Sequence, residues 1–169
     1  MSVAAIYARV SGKDALLLAA YDEVHRRIDE GRAEGDALEL EPVMSPAEAV
    51  NQAVASVVDV FLANATFMRS VILLSGSHPE IRRRGSEWTT QIGRDFAAVL
   101  SAHSRWFDLD DIQAEVDLCY RVVFSSAAMH VAYGSQFASE RQLTDKQLVA
   151  GLQAAARRTL KVTEGAPLD

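Results

Sequence analysis

Signals for helix starts constrain the fold of this chain more than any other feature. Ser45-Pro46-Ala47-Glu48 combines a hydroxyl at the N-cap, proline in the first turn and glutamate three residues after the cap. In that pattern the hydroxyl accepts a hydrogen bond from a free backbone N–H, and the glutamate reaches back to the N-cap N–H. Ser77-His78-Pro79-Glu80 has this capping box with proline one place later, and Thr144-Asp145-Lys146-Gln147 has it with glutamine as the returning side chain. They predict helices that start near residues 78 and 145. Because only 4 prolines and 9 glycines occur, and at plausible helix boundaries, we predict an all-α fold.

The longest apolar segment follows the capping box at Ser45. From residue 47 to about residue 74, apolar residues occur on nearly every helical face, and Asp59 is the only charge between Glu48 and Arg69. Such a segment is typical of a helix surrounded by protein. One helix of this length would measure about 40 Å at about 1.5 Å per residue, longer than a small domain is wide. We therefore predict two consecutive buried helices with a break near Asn64.

The next helix is predicted to bury one stripe, because its apolar residues recur every three or four positions. The stripe comprises Ile81, Gly85, Trp88, Ile92, Phe96 and Val99. The three arginines at positions 82–84 indicate a solvated face rather than a nucleic-acid site. An earlier helix is expected after Ser11, which is a weaker cap.

A helix from about residue 109 to residue 133, favoured by the acidic residues at positions 108, 110 and 111, carries two apolar stripes. The first consists of Ile112, Val116, Cys119, Val123, Ala127 and Val131. The second consists of Leu118, Val122, Met129 and Tyr133. One stripe can pack on the core of the domain, and the other needs a further helix or a second subunit.

The last helix, at about residues 145–161, is the natural neighbour of the two-striped helix. We predict that both helices pair with their copies across a two-fold axis, as a four-helix homodimer interface. The residues predicted in or near this interface are Ser125, Met129, Tyr133, Leu148 and Leu152.

Composition limits the function classes. A net charge of −6 argues against a surface given over to nucleic acid. With Cys119 as the single cysteine, no intramolecular disulfide is possible, and the sequence contains no export signal and no apolar run of roughly 20 residues, so we expect a cytoplasmic protein without a membrane span. Its 4 histidines show no paired spacing with one another, and no nucleophile, phosphate-loop or zinc-protease motif occurs. We predict no metal, no cofactor and no enzyme activity.

The opening residues resemble the recognition helix and the following helix of the TetR-like transcriptional regulators. The family pattern there is Ser, small residues, an aliphatic-Tyr pair, an aromatic residue, then Lys, an acid and Leu. The matching residues are Ser2, Ile6-Tyr7, Lys13-Asp14 and Leu16-Leu17. Val10 stands where the family usually has Phe, and Gly12 where it often has Ser. The likeness in sequence covers about the first 20 residues, and the rest of the chain agrees in architecture alone.

The resemblance implies a remnant of a helix-turn-helix DNA-binding domain over residues 1–17 and a ligand-binding and dimerisation domain over residues 18–169. It assigns Val3, Ala4, Tyr7 and Lys13 to DNA contacts. Tyr7 and Lys13 match family positions that contact phosphates, which position a protein without reading sequence. The alternative is an interfacial Tyr7 ring and a solvated Lys13.

The resemblance also implies a function, that of a ligand-responsive transcriptional regulator acting as a repressor. It would act as a homodimer that senses a small apolar or amphipathic effector. Because the two helices that brace the recognition helix in the family are missing, we expect weak DNA binding by this chain. The alternative is an all-helical protein-interaction module, or a dominant-negative partner of a full-length regulator, without small-molecule sensing.

Aromatic and apolar residues of the central helices are the candidates for lining an effector cavity, because ligand pockets combine such walls with a few polar groups. They are Phe61, Phe67, Met68, Trp88, Tyr120 and Phe124. Each is also compatible with simple core packing. Asp59, alone in an apolar helix, is the candidate anchor for a polar group of the ligand, because a buried carboxylate needs a partner. A salt bridge or a solvent-facing position is the alternative for Asp59.

Overall fold

The computed structural model describes residues 12–36, 45–102, 107, 111–137 and 139–162. Over these ranges the chain forms helices and no strand, so the predicted all-α class is confirmed there. The helices are α1 (Lys13–Asp36), α2 (Pro46–Ala63), α3 (Ala65–Ser75), α4 (Pro79–Ser101), α5 (Ile112–Tyr133) and α6 (Asp145–Thr159). The chain divides into two compact units, Met1–Pro42 and Val43–Asp169.

The first unit is described through α1, whose outer face carries ion pairs. Arg26 bridges Glu23 and Glu30, and Arg27 also reaches Glu23 with Nε 2.7 Å from Oε1. The hydrogen bonds from Arg26 and Arg27 hold the pKa of Glu23 at about 2. All four side chains are exposed to solvent, so the pairs contribute little to stability.

Two helices of the second unit begin at the predicted capping boxes. The Ser45 hydroxyl accepts from the Glu48 N–H at 3.3 Å, and the Ser45 N–H donates to Glu48 Oε2 at 2.8 Å. Thr144 and Gln147 repeat this exchange at the start of α6, at 3.3 and 3.0 Å. The helix starts predicted at residues 46 and 145 are thus confirmed.

The capping box predicted at Ser77 is wrong, although a helix does begin near residue 78, as predicted. The N-cap of α4 is His78, whose Nδ1 accepts from the Ile81 N–H at 3.3 Å. The Ser77 hydroxyl instead donates to the Leu74 carbonyl at 3.2 Å. Proline is preferred at the first helical position, so Pro79 places the cap at residue 78, as Pro46 places the cap of α2 at residue 45.

Helix α5 begins later than predicted, at Ile112. The carboxylate of Asp111 caps it by accepting from the Ala114 N–H at 3.1 Å. Asp108 and Asp110, which were expected to favour the start of this helix, and Ser11 lie outside the described residues.

Helix α2 is the centre of the second unit and contacts each of its other four described helices. The predicted break is present, because α2 ends at Ala63, α3 starts at Ala65 and the two axes differ by 87°. The side-chain amide of Asn64 donates to the Val60 carbonyl at 3.0 Å, which satisfies a backbone acceptor in the last turn of α2.

Helix α2 is not buried on every face, contrary to the prediction. Gln52, Ser56, Asp59 and Ala63 are exposed and form one strip at helical spacing. Gln52, Ser56 and Asp59 are polar and recur at spacings of four and three, so the sequence does contain the signal for one solvated face. Asp59 lies on this strip and is exposed to solvent.

The buried stripe of α4 ends on a different residue than predicted. Ile81, Ile92 and Phe96 are buried as expected, but Val99 is 39% exposed and Leu100 is fully buried. A step of four from Phe96 keeps the stripe under the helices that cover α4, whereas a step of three turns Val99 away from them.

No single described helix is long and apolar enough to cross a bilayer. The pair α2 and α3 reaches that length and composition only when taken together across its 87° bend.

Candidate functional site

One face of α5 is left uncovered by the described part of the chain. The first stripe of this helix is buried, from Val116 to Val131. The second stripe is exposed, at 52% for Leu118, 48% for Val122 and 53% for Tyr133. The prediction that α5 has two apolar faces is therefore correct, and α6 covers only part of the second.

A cleft of about 770 Å³ opens between the C-terminal half of α5 and the N-terminal half of α6. Its walls are mostly apolar. The apolar side chains that line it are Met129, Phe137, Leu143, Leu148 and Leu152. Its described polar lining includes the side chains of His130 and Arg141, and no aspartate or glutamate is among the described residues that line it.

The loop between α5 and α6 closes one end of this cleft. Gly134 ends α5 with a φ of 92°, a conformation that residues with a Cβ rarely adopt, and this turns the chain away from the helix axis. The Leu143 N–H then donates to the Ser135 carbonyl at 2.9 Å and ties the two ends of the loop together. Below the loop, His130 Nε2 lies 2.9 Å from Asp145 Oδ1 and links α5 to the first turn of α6.

The exposed α5 stripe continues into the same loop. The rings of Tyr133 and Phe137 are stacked, with centroids 4.8 Å apart. Phe137 also lines the cleft and is 48% exposed. The exposed apolar residues of the stripe and of the cleft share Met129, and we define the α5 surface by Leu118, Val122, Met129, Tyr133 and Phe137.

The residues predicted for a dimer interface fall into two groups. Ser125, Met129 and Tyr133 are exposed, and the first two line the cleft. Leu148 and Leu152 also line it, but only 5% and 8% of their surfaces remain exposed, because they pack within the second unit. They form the floor of the cleft, where most of each side chain already has neighbours, and their place in or near an interface stays a prediction.

Three of the predicted ligand-lining residues pack ring on ring. Phe61 and Phe124 meet edge to face with centroids 5.0 Å apart, and Tyr120 lies 5.7 Å from Phe124. The Tyr120 hydroxyl donates to the Thr89 carbonyl at 2.6 Å, and burial raises the pKa of this phenol. Contacts of this kind are worth about 0.5–1.5 kcal/mol beyond the buried area, so the cluster stabilises the core.

The other ligand candidates are dispersed. Met68 is buried, and Phe67 and Trp88 are partly buried. Asp59 is exposed, so the expectation of a buried carboxylate that anchors a ligand is wrong and the solvent-facing alternative holds. None of the seven predicted ligand-binding residues lines the cleft between α5 and α6.

Of the four residues expected to contact DNA, one lies in the described part of the chain. Val3, Ala4 and Tyr7 lie outside the described residues. Lys13 is the first residue of α1.

No group of three potential metal ligands occurs among the residues that the structure describes. Cys119 is 3% exposed, and burial raises the pKa of its thiol to about 11. A thiol in that environment is protonated at neutral pH and is a poor nucleophile.

Compared with known proteins, the chain matches no family model, no curated protein and no solved structure.

Three residues of the cleft were not predicted from the sequence, namely Phe137, Arg141 and Leu143 of the loop. They lie between two helices, where no periodicity tests whether a side chain is covered. The signal available was the presence of two large apolar residues in a connection that is otherwise polar.

Proposed function

We propose that this chain is the effector-binding and dimerising body of a TetR-like, ligand-responsive transcriptional repressor, that its opening residues supply the DNA contacts, and that it catalyses no reaction. The resemblance of the opening residues and the all-helical body support the family. The observation that carries the dimer is the α5 surface, whose five residues are each at least 36% exposed.

The α5 surface has the character of an interface between copies. Apolar residues scattered singly over a protein surface need no explanation, but a contiguous apolar patch with a polar rim marks an interaction site. The ion pair between Arg121 Nε and Asp117 Oδ2, at 2.7 Å, borders it on the same helix. A straight helical face can meet its own copy across a two-fold axis, so each residue of the face is used twice.

Sedimentation equilibrium at micromolar concentration tests the dimer. We expect a dimer for the unaltered chain and a monomer for Val122→Glu, because the substitution would bury two unpaired carboxylates at the interface. Leu73→Glu is the matched control, since Leu73 is 50% exposed on another helix, α3, and is not one of the residues of the α5 surface. It should remain dimeric. A monomeric unaltered chain would overturn the dimer.

Thermal-shift screening of apolar and amphipathic compounds tests the sensor. A ligand that binds the folded state raises its stability by RT ln(1 + [L]/Kd), which is about 2.7 kcal/mol at a ligand concentration of 100 Kd. We expect at least one chemical class to give a saturable rise in Tm. A library without any saturable shift would contradict small-molecule sensing.

A protein-interaction module is the second candidate, and the ring-on-ring packing of Phe61, Phe124 and Tyr120 favours it. Side chains that fill one another's space leave less room for a ligand among the central helices. The same screen separates the two functions, because an interaction module should ignore small molecules while its α5 surface still binds protein.

A further inference from the structure

We infer that the cleft between α5 and α6 binds an amphipathic carboxylate, a molecule with an apolar chain and one anionic head. The inference refines the effector of the proposed sensor and rests on that proposed function. It places the ligand at the loop end of the α5 surface instead of among the aromatic rings of the core.

The walls of the cleft fit the apolar part of such a ligand. Met129 and Phe137 form exposed sides, and Leu148 and Leu152 form the buried floor. The volume of about 770 Å³ lies within the range of about 300–1,000 Å³ that small-molecule sites occupy. Methionine adapts its shape to an unbranched chain because it has three rotatable bonds.

The charges around the cleft select the head group. The chain has a net charge of −6, yet none of the described residues that line the cleft is acidic, while Arg141 and His130 are there. Two carboxylates lie close to the lining residues in the chain without lining the cleft: Glu140 is exposed in the loop, and Asp145 is held by His130 Nε2 at 2.9 Å. An anion inside the cleft would therefore contact Arg141 and no acidic side chain among the described lining residues.

Arg141 is the group that would bind the anion. Among the described residues, no carboxylate forms an ion pair with its guanidinium, although Glu23, Glu80 and Asp117 pair with arginines elsewhere. A guanidinium can donate two parallel hydrogen bonds to a carboxylate, which favours this head group over an alcohol of the same chain length.

Decanoate and 1-decanol, used below micellar concentrations, test the inference by calorimetric titration. We expect the unaltered chain to bind decanoate at least tenfold more tightly than decanol. Arg141→Gln should weaken decanoate binding at least tenfold and leave decanol unchanged. Arg94→Gln is the matched control, because Arg94 is exposed on α4 and does not line the cleft. Equal decanoate binding by Arg141→Gln and the unaltered chain would overturn the inference.

Filling the cleft gives an independent test. A Cβ built on Gly151 meets no atom within 4 Å, so Gly151→Leu should fold and project its side chain into the cleft. We expect loss of decanoate binding. The matched control is Ala150→Leu, at a neighbouring exposed position of α6 outside the cleft, which should bind normally. Unchanged binding by Gly151→Leu would place the ligand elsewhere and refute the inference.

The outcomes separate this inference from the dimer. A monomeric chain that binds decanoate through Arg141 would refute the proposed dimer and support the cleft. A dimeric chain that binds neither decanoate nor decanol would support the dimer and refute the cleft.

Discussion

The ring of Tyr120 lies against the backbone of Gly93, so closely that a Cβ built on Gly93 would come within 2.8 Å of the ring atom Cε1. One turn earlier on α4, the Thr89 carbonyl accepts the Tyr120 hydroxyl at 2.6 Å. Because residue 93 has no side chain, α4 and α5 can approach closely and the Tyr120 ring fits between them. This ring is also part of the aromatic cluster with Phe124 and Phe61. The cluster extends to Phe96, whose ring centroid is 5.7 Å from that of Tyr120.

Gly93→Ala should therefore destabilise the protein, although alanine is the better helix former. The added methyl group forces the Tyr120 ring to move, and overpacking of this kind costs about 1–3 kcal/mol. Gly151→Ala is the matched control, because residue 151 is also helical but its Cβ would meet open space. It should stabilise by about 0.5–1 kcal/mol. Urea unfolding measures both, and a stabilised Gly93→Ala would contradict the close contact.

Alanine substitutions of Ser45 and Ser77 should differ in their effect on the free energy of unfolding. Ser45→Ala removes the N-cap of α2 and should lower the free energy of unfolding by about 1 kcal/mol. Ser77→Ala should lower it by less than about 0.5 kcal/mol, because His78 caps α4 and Ser77 is exposed. Thermal unfolding of the two variants side by side provides the measurement. An equal loss would show that Ser77 does contribute to the cap.

The fold was predictable from the sequence where local chemistry decides the structure, as at Ser45, and less so elsewhere. Helix starts depend on local chemistry, so the boxes at Ser45 and Thr144 were correct to the residue. The break at Asn64 followed from length alone. The exposed strip with Asp59 was missed because only its polar residues at 52, 56 and 59 mark it, in a helix whose other residues are mostly apolar.

The candidate site was less predictable for a related reason. Apolar spacing showed that α5 has two apolar faces, but it cannot say whether the chain itself or a second copy covers a residue. Leu148 and Leu152, predicted in or near an interface, are mostly buried within the chain, whereas Met129 and Tyr133 remain exposed. Periodicity also does not extend into the loop that contributes Phe137.

Cys119 should make the protein less stable at alkaline pH. Burial raises the pKa of its thiol from 9.0 to about 11, so above pH 9 the unfolded chain loses a proton that the folded chain retains. The unfolded state then binds fewer protons, and the free energy of unfolding falls as pH rises from 9 towards 11.

The measurement is chemical denaturation at pH 8 and pH 10.5 of the unaltered chain and of Cys119→Ala. The variant loses core packing at both pH values, but its loss of stability between them should be smaller than that of the unaltered chain by roughly 1–2 kcal/mol. Burial raises the pKa of the Tyr120 phenol as well. Because both proteins contain Tyr120, its contribution to the difference between them should cancel. An identical pH dependence would refute the role of the thiol.

A polar link between α2 and α6 should couple the two helices energetically. Gln153 Nε2 donates to the backbone carbonyl of Asn51 at 3.0 Å, and the Arg157 guanidinium donates to the Asn51 side-chain oxygen. All three residues are partly buried, so solvent screens the charged donor less than at an exposed site. Hydrogen bonds to charged groups contribute about 1.5–3 kcal/mol, so we expect Asn51→Ala and Arg157→Ala to be non-additive by at least about 1 kcal/mol.

A double-mutant cycle by urea unfolding measures this coupling, and the exposed pair Asp117 and Arg121 provides the matched control. That pair has 55% and 70% of its side-chain surface exposed and lies within one helix. Its coupling should be only about 0.3–0.5 kcal/mol and should decrease in high salt. The Gln153 bond should survive Asn51→Ala, because its acceptor is the backbone, so the cycle isolates the contact made by Arg157. Additive losses for Asn51 and Arg157 would mean that the link contributes nothing to the packing of α6 on α2.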